Sequence, residues 1–182
     1  SRPRRWPRPV SAATAVAQSP EHILLLMEES ARPALSGDLD ALHGLVAAAR
    51  GELPERKGGD VAVRLDPQRN DPGARIAAAL NDEAMVLLVG TIDETVVGYG
   101  LMSLGTVSDG SIQANVEEIF VDPGARSVGV GEAILEELLA AASVRRAVAI
   151  QSVALPGDRS TKNFFEAHGM VARAIIVHRW LD

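Results

Sequence analysis

The chain has 182 residues and a formal net charge of −6; 47% of its residues are hydrophobic and 23% charged. That size and balance suit one globular domain with a substantial core, and they argue against a general nucleic-acid binder, whose surface is basic. Cysteine is absent, which excludes thiol catalysis, disulfides and cysteine metal sites, and no apolar run is long enough to span a bilayer.

Residues 1–20 are expected to be a flexible basic arm, with Arg2, Arg4, Arg5 and Arg8 alternating with Pro3, Pro7 and Pro9. The prolines oppose a helix, and the alanine-rich 12–17 is a poor secretory core. The domain proper is expected over 21–182. Its first strand reads as 21–28 (EHILLLME), followed by a connection through Pro33. Ser36-Gly37-Asp38 offers an N-cap for a helix over 39–50, with Leu42, Leu45, Val46 and Ala49 on one face and Gly51 at its end. Residues 53–63 read as a polar, glycine-rich connection. Asp71-Pro72 then predicts a helix over 73–80, because Asp caps well and Pro is tolerated at the first helical position.

The apolar run 84–90 predicts a strand, 91–94 a turn, and 95–104 a returning strand. In the latter, Gly98 and Gly100 either weaken the strand or let another backbone close. Next comes 112–121 (IQANVEEIFV), with Ile112, Ala114, Val116, Ile119 and Val121 apolar and one slip of register near Glu117-Glu118. Such a slip is what a β-bulge produces. Asp122-Pro123-Gly124 ends this strand as a turn. Residues 126–131 (RSVGVG) open a helix whose Ile134, Leu135, Leu138 and Leu139 recur at 3.6 spacing. A strand over 147–154, a helix over 160–168 stopped by Gly169, and a last strand over 171–180 complete the expected order.

A glycine-bearing loop between a strand and a helix is a recurring way to hold a phosphate. The helix start offers unpaired N–H groups and partial positive charge. A Walker-A loop requires Gly-Lys-Ser/Thr, whereas Gly131 is followed by Glu132 and Ala133; a dinucleotide fingerprint requires a third glycine, and position 134 is Ile. The pattern Arg-x-x-Gly-x-Gly after a V-D-P strand end resembles motif A of the GNAT superfamily of acetyl-CoA-dependent N-acetyltransferases. Asp158 to Met170 (DRSTKNFFEAHGM) similarly looks like that superfamily's motif B.

The resemblance implies an α/β fold with a central, mostly antiparallel sheet, splayed between its fourth and fifth strands, and helices on both faces. It implies acetyl-CoA as cosubstrate and no metal. Arg126, Ser127, Val128, Gly129, Val130, Gly131 and Glu132 would receive the coenzyme's pyrophosphate, and the backbone of Ile119, Phe120 and Val121 its pantetheine. The acceptor would be a small-molecule or peptide amine in a cytoplasmic, homodimeric protein with no nucleic-acid or membrane partner.

Direct attack of an amine on a thioester needs a base for the amine proton and a route for a proton to the leaving thiolate. Glu117 and Glu118 are the candidate bases, with Glu118 preferred; on a regular strand the two would lie on opposite faces unless the bulge turns them. Many relatives carry a tyrosine acid in motif B, where this chain has Phe165. Phe164 reads as helix core, and Tyr99, the sole tyrosine, as a half-buried strand residue. The histidines His22, His43, His168 and His178 show no metal-ligand spacing. Arg159 and Lys162 read equally well as ligands for the coenzyme's 3′-phosphate or as solvated residues. Phe165 also keeps a second reading open, a binding or regulatory module that holds an acyl-CoA without turning it over.

Overall fold

The computed structural model describes residues 28–65 and 71–181. The expected arm lies outside them, and so does nearly all of the expected first strand. The strand the structure does show, β1, is Glu29–Pro33, where a connection had been expected. β1 lies at one edge of the described sheet and pairs with β2, and an edge strand tolerates a proline at its end.

Helix α1 is Leu39–Glu52. Asp38 does not cap it with its side chain. Its carboxylate instead makes a two-pronged pair with Arg32 (2.7 and 2.9 Å) and accepts the Leu35 N–H at 2.8 Å, which fixes the turn out of β1. Nor does Gly51 end α1. A helical glycine costs only about 1 kcal/mol, and the burial of Leu42, Leu45 and Val46 outweighs that. A 3₁₀ turn, Leu53–Glu55, follows, and the expected connection goes on to hold a further short helix, α2 (Gly59–Leu65). Helix α3 is Pro72–Ala79, started as expected by Asp71, whose side chain accepts the Ala74 N–H at 3.0 Å.

Strands β2 (Met85–Ile92), β3 (Thr95–Thr106), β4 (Ile112–Val121) and β5 (Ala147–Ser152) complete a sheet ordered β1-β2-β3-β4-β5. All neighbours are antiparallel except β4 and β5, which run parallel. The β2–β3 hairpin turns on Asp93 and Glu94, both at positive φ (47° and 66°), the pair of left-handed residues that a two-residue hairpin of type I′ needs.

Helix α4 (Val130–Val144) buries Val130, Ile134, Leu135, Leu138 and Ala142 on one face of the sheet, the 3.6-residue stripe read from the sequence. Helices α1 and α3 cover the other face, where Leu42, Leu45, Val46 and Ile76 meet Leu87, Val89, Tyr99, Leu101 and Phe120. Helices on both faces of a mostly antiparallel sheet are the expected architecture. A Cβ on Gly100 would lie 2.4 Å from Cγ2 of Ile134. What closes on that strand is therefore the side chain of a helix that sits tight against the sheet.

The β4–β5 ladder runs from Ile112–Ala147 to Val116–Ser152, where the Ser152 hydroxyl also donates to the Val116 carbonyl at 3.0 Å. β5 ends at Ser152, so among the described residues Glu117 to Val121 have no ladder partner on that side. This is the expected splay. Helix α5 (Arg159–Ala167) follows β5.

The expected last strand is not formed. Residues 170–181 carry no regular secondary structure and lie outside the sheet, with Ile175 90% and Val177 91% exposed. The reason lies in the run Ala174-Ile175-Ile176-Val177, which puts apolar groups on both faces. Such a strand is stabilised only where both faces are covered, and Val148 of β5 and Val153 beside it are themselves exposed.

Candidate active site

The slip of register in β4 is a bulge. Leu101 of β3 pairs with Glu118 and Met102 with Val116, so Glu117 is the extra residue. Val116 and Ile119 pack on the α4 side of the sheet and Phe120 on the α1/α3 side. In a regular strand Glu117 and Glu118 would point apart. The bulge turns both toward α3, where Arg75 reaches Glu117 at 3.2 Å and Glu118 at 3.8 Å. They sit just past the end of the β4–β5 ladder.

The two carboxylates are held differently. Glu117 accepts from Ser103 Oγ (2.5 Å) and Asn115 Nδ2 (3.0 Å) as well as from Arg75. Its burial opposes ionisation, but these donors outweigh it and hold the carboxyl below the usual glutamate range. Glu118 accepts from the Tyr99 hydroxyl at 2.6 Å. Tyr99 is fully buried, not half-buried as its sequence suggested, and it reaches Glu118 across the β3–β4 ladder. An open cleft of about 340 Å³ begins here, bounded by Arg75, Asp82, Met85, Ser103 and Glu117.

Beyond the bulge, Ile119 to Val121 lie past the end of the β4–β5 ladder, and β4 ends at Val121. Asp122 accepts the Gly124 N–H at 2.8 Å and starts a short 3₁₀ turn. Ser127 (φ 65°) and Gly129 (φ 99°) both take left-handed backbone, which swings the chain into α4. No side chain caps α4. The helix's first own bond is Ala133 N–H to Gly129 O at 2.9 Å, so the N–H groups of Val130, Gly131 and Glu132 precede its internal bonding. They find no acceptor among the described residues, and as at any helix start they carry partial positive charge. The donor set fits a phosphate. A Cβ on Gly131 would lie 3.6 Å from the ring of Phe164, so this glycine faces α5 across the splay.

Arg126, expected to meet a phosphate, is already engaged. Its Nε donates to the Val121 carbonyl at 2.9 Å, and its Nη2 pairs with Glu52 at 2.7 Å. Phe164 and Phe165 stack edge-on, with His168 against Phe164. Lys162 pairs with Glu166 at 2.6 Å on the exposed face of α5. His43 lies beside Gly73; His178 packs on Trp180, which lies under Arg64; His22 is outside the described residues. Among the described residues no group of His, Asp or Glu is arranged to hold a metal ion, and no helix is long and apolar enough to cross a membrane. Sequence reasoning missed Arg75, Ser103, Tyr99 and Glu52 as parts of this site. All four are distant in sequence from the groups they hold, and no local pattern marks them.

Comparison with known proteins agrees with this architecture. Residues 52–170 match the model of the acetyltransferase (GNAT) family. Among solved structures, a putative acetyltransferase from Agrobacterium tumefaciens str. C58 superposes with a TM-score of 0.65 at 18% identity, covering 84% of this chain and 99% of its own. AAC(6')-Iy, solved with the bisubstrate analogue CoA-S-monomethyl-acetylneamine, gives 0.63 at 18% identity, over 85% and 99%. A transcriptional regulator from Bacillus halodurans C-125 gives 0.63 at 20% identity, over 85% and 100%. At these identities the likeness is one of fold. No curated protein sequence matches the chain.

Proposed function

Because the chain belongs to the acetyltransferase (GNAT) family, we propose that it transfers the acetyl group of acetyl-CoA to a primary amine. The observation that carries this reading is the stretch from Glu117 to Glu132. One end of it turns two carboxylates to a single face, and the other end is an uncapped helix start with free N–H groups. Between them runs a strand segment, Ile119 to Val121, beyond the reach of β5.

Acetyl-CoA supplies an acyl group activated as a thioester. The N–H groups of Val130 to Glu132 would hold its pyrophosphate, with Arg126, Ser127, Val128 and Gly129 shaping the loop, and the backbone of Ile119 to Val121 would align its pantetheine arm. In the transfer the amine nitrogen attacks the thioester carbonyl carbon through a tetrahedral intermediate, and the C–S bond breaks. Glu118 takes the amine proton, directly or through water. Tyr99 orients it by a part-buried hydrogen bond. Glu117, kept ionised by three donors, is the poorer base and the better electrostatic anchor for a cationic acceptor. The cleft beside Glu117 and Asp82 suits such an acceptor. Phe165 and Phe164 offer the thiolate no proton, so its proton comes from water or from an acid elsewhere in the chain.

Phe165 also favours a second reading, a coenzyme-binding module without turnover. Calorimetry with acetyl-CoA and thiol release against a panel of amines separate the two. Turnover on any amine, lowered more in Glu118→Gln than its coenzyme affinity is, supports the enzyme; binding without turnover on any amine supports the module. Gly131→Glu puts a carboxylate at the helix start without a backbone clash. It should abolish binding, and unchanged affinity in the folded variant would remove the coenzyme site.

A further inference from the structure

Arg126 stands on the β4 side of the splay, and Asp158, the N-cap of α5, stands on the β5 side. No ladder joins these two walls beyond Val116 and Ser152 among the described residues. A chain of ion pairs does. Glu52, at the end of α1, takes Arg126 on one oxygen at 2.7 Å and Arg56 on the other at 2.9 Å, and Arg56 reaches Asp158 at 2.8 Å. The backbone follows the same path. Gly58 (φ 83°) lets the chain pass Pro156, whose Cδ would lie 3.3 Å from a Cβ there, and Gly157 (φ 88°) passes the side chain of Lys57. The segment from Glu52 to Gly58 therefore crosses from one wall to the other.

Two guanidinium groups share one carboxylate at the centre of this tie. In this arrangement Arg126 spends one donor on Glu52 and another on the carbonyl of Val121. Those contacts use two of its five N–H groups, so an anion received by the N–H groups of Val130 to Glu132 shares Arg126 with Glu52 and gains its full charge by displacing that carboxylate. We infer that Glu52 is an affinity-setting residue, an internal anion that competes with the phosphates of the coenzyme for Arg126 and holds the Glu52–Gly58 segment across the splay until they exchange. The inference rests on the coenzyme reading given above. Glu52 touches no reacting atom in it; it acts through Arg126, as a positioning residue.

Glu52→Gln keeps the shape of the side chain and removes its charge. An exposed ion pair of this kind is worth enough that its loss should tighten acetyl-CoA binding by about two- to fivefold in calorimetry at low salt. The gain should shrink as salt is raised. Glu52→Asp, which keeps the charge but loses the reach to both arginines, should lie between. Glu55→Gln, on the same turn and with no ion pair among the described residues, controls for net charge and should leave affinity unchanged. Unchanged or weaker binding in Glu52→Gln overturns the inference. So does an equal gain in Glu55→Gln, which would make the effect one of overall charge. If the wild-type protein itself gives no binding heat, the coenzyme reading fails first and the competition falls with it.

Discussion

The two walls of the splay are built in opposite ways. On the β4 side, α4 packs Ile134, Leu135 and Leu138 into a closed core at full burial, and glycines in β2 and β3 make room for Ile134 to sit close. On the β5 side, β5 has a parallel ladder of a few residues, α5 has no buried residue, and the chain after it is exposed. One wall is held by apolar packing and the other by polar ties such as Arg56–Asp158 and the Asp158 cap. The α4 start and the bulged β4 are on the packed wall.

That contrast can be broken most directly with equal truncations on the two walls. Ile134→Ala, at a fully buried position, should cost about 2–5 kcal/mol in urea unfolding, through lost transfer energy and the cavity left behind. A smaller effect is expected from Asp158→Asn, which keeps a good cap but removes the charge facing Arg56, at about 1 kcal/mol. Burial opposes ionisation of Asp158, but the Thr161 N–H, the hydroxyls of Ser160 and Thr161, and Arg56 outweigh it and hold the carboxyl below the usual aspartate range. A depressed folded value means stability that is present above the unfolded value and lost as pH falls through the folded one. Hydrogen exchange, corrected for its intrinsic pH dependence, should show α5 losing protection in acid before α4, and Asp158→Asn should flatten that dependence. Equal acid sensitivity of the two helices would remove the contrast. Ile176→Ala, 78% exposed, should change stability by no more than about 0.5 kcal/mol. A larger loss would mean that the C-terminal segment packs against something in solution.

Local pattern was enough wherever one segment carried its own reason. Alternation and its single slip located β4 and its bulge; Asp71-Pro72 located the start of α3; the 3.6 stripe located α4. Segments whose state depends on what lies beside them were misread. Residues 171–180 have strand-like composition but gain no partner in the sheet, and Pro33 ends a strand because that strand is at an edge. Helix α2 hid in a stretch whose Lys57-Gly58-Gly59 reads as a loop. The site divided the same way. The loop 126–132 was legible as a possible anion site, but the engagement of Arg126 by Glu52, 74 positions away, was not.

The sequence by itself determined the order of most elements, the bulge between Val116 and Glu118, the glycine loop before α4, and through these the family. Those features rest on periodicity and backbone preference, which act within a few residues. Only the tertiary structure decided that both glutamates face Arg75, that Tyr99 is buried against Glu118, and that a chain of charges ties the two walls of the splay. Side-chain partnership is set by the packing of separate elements, and the register that brings Glu52 to Arg126 is written in neither segment alone.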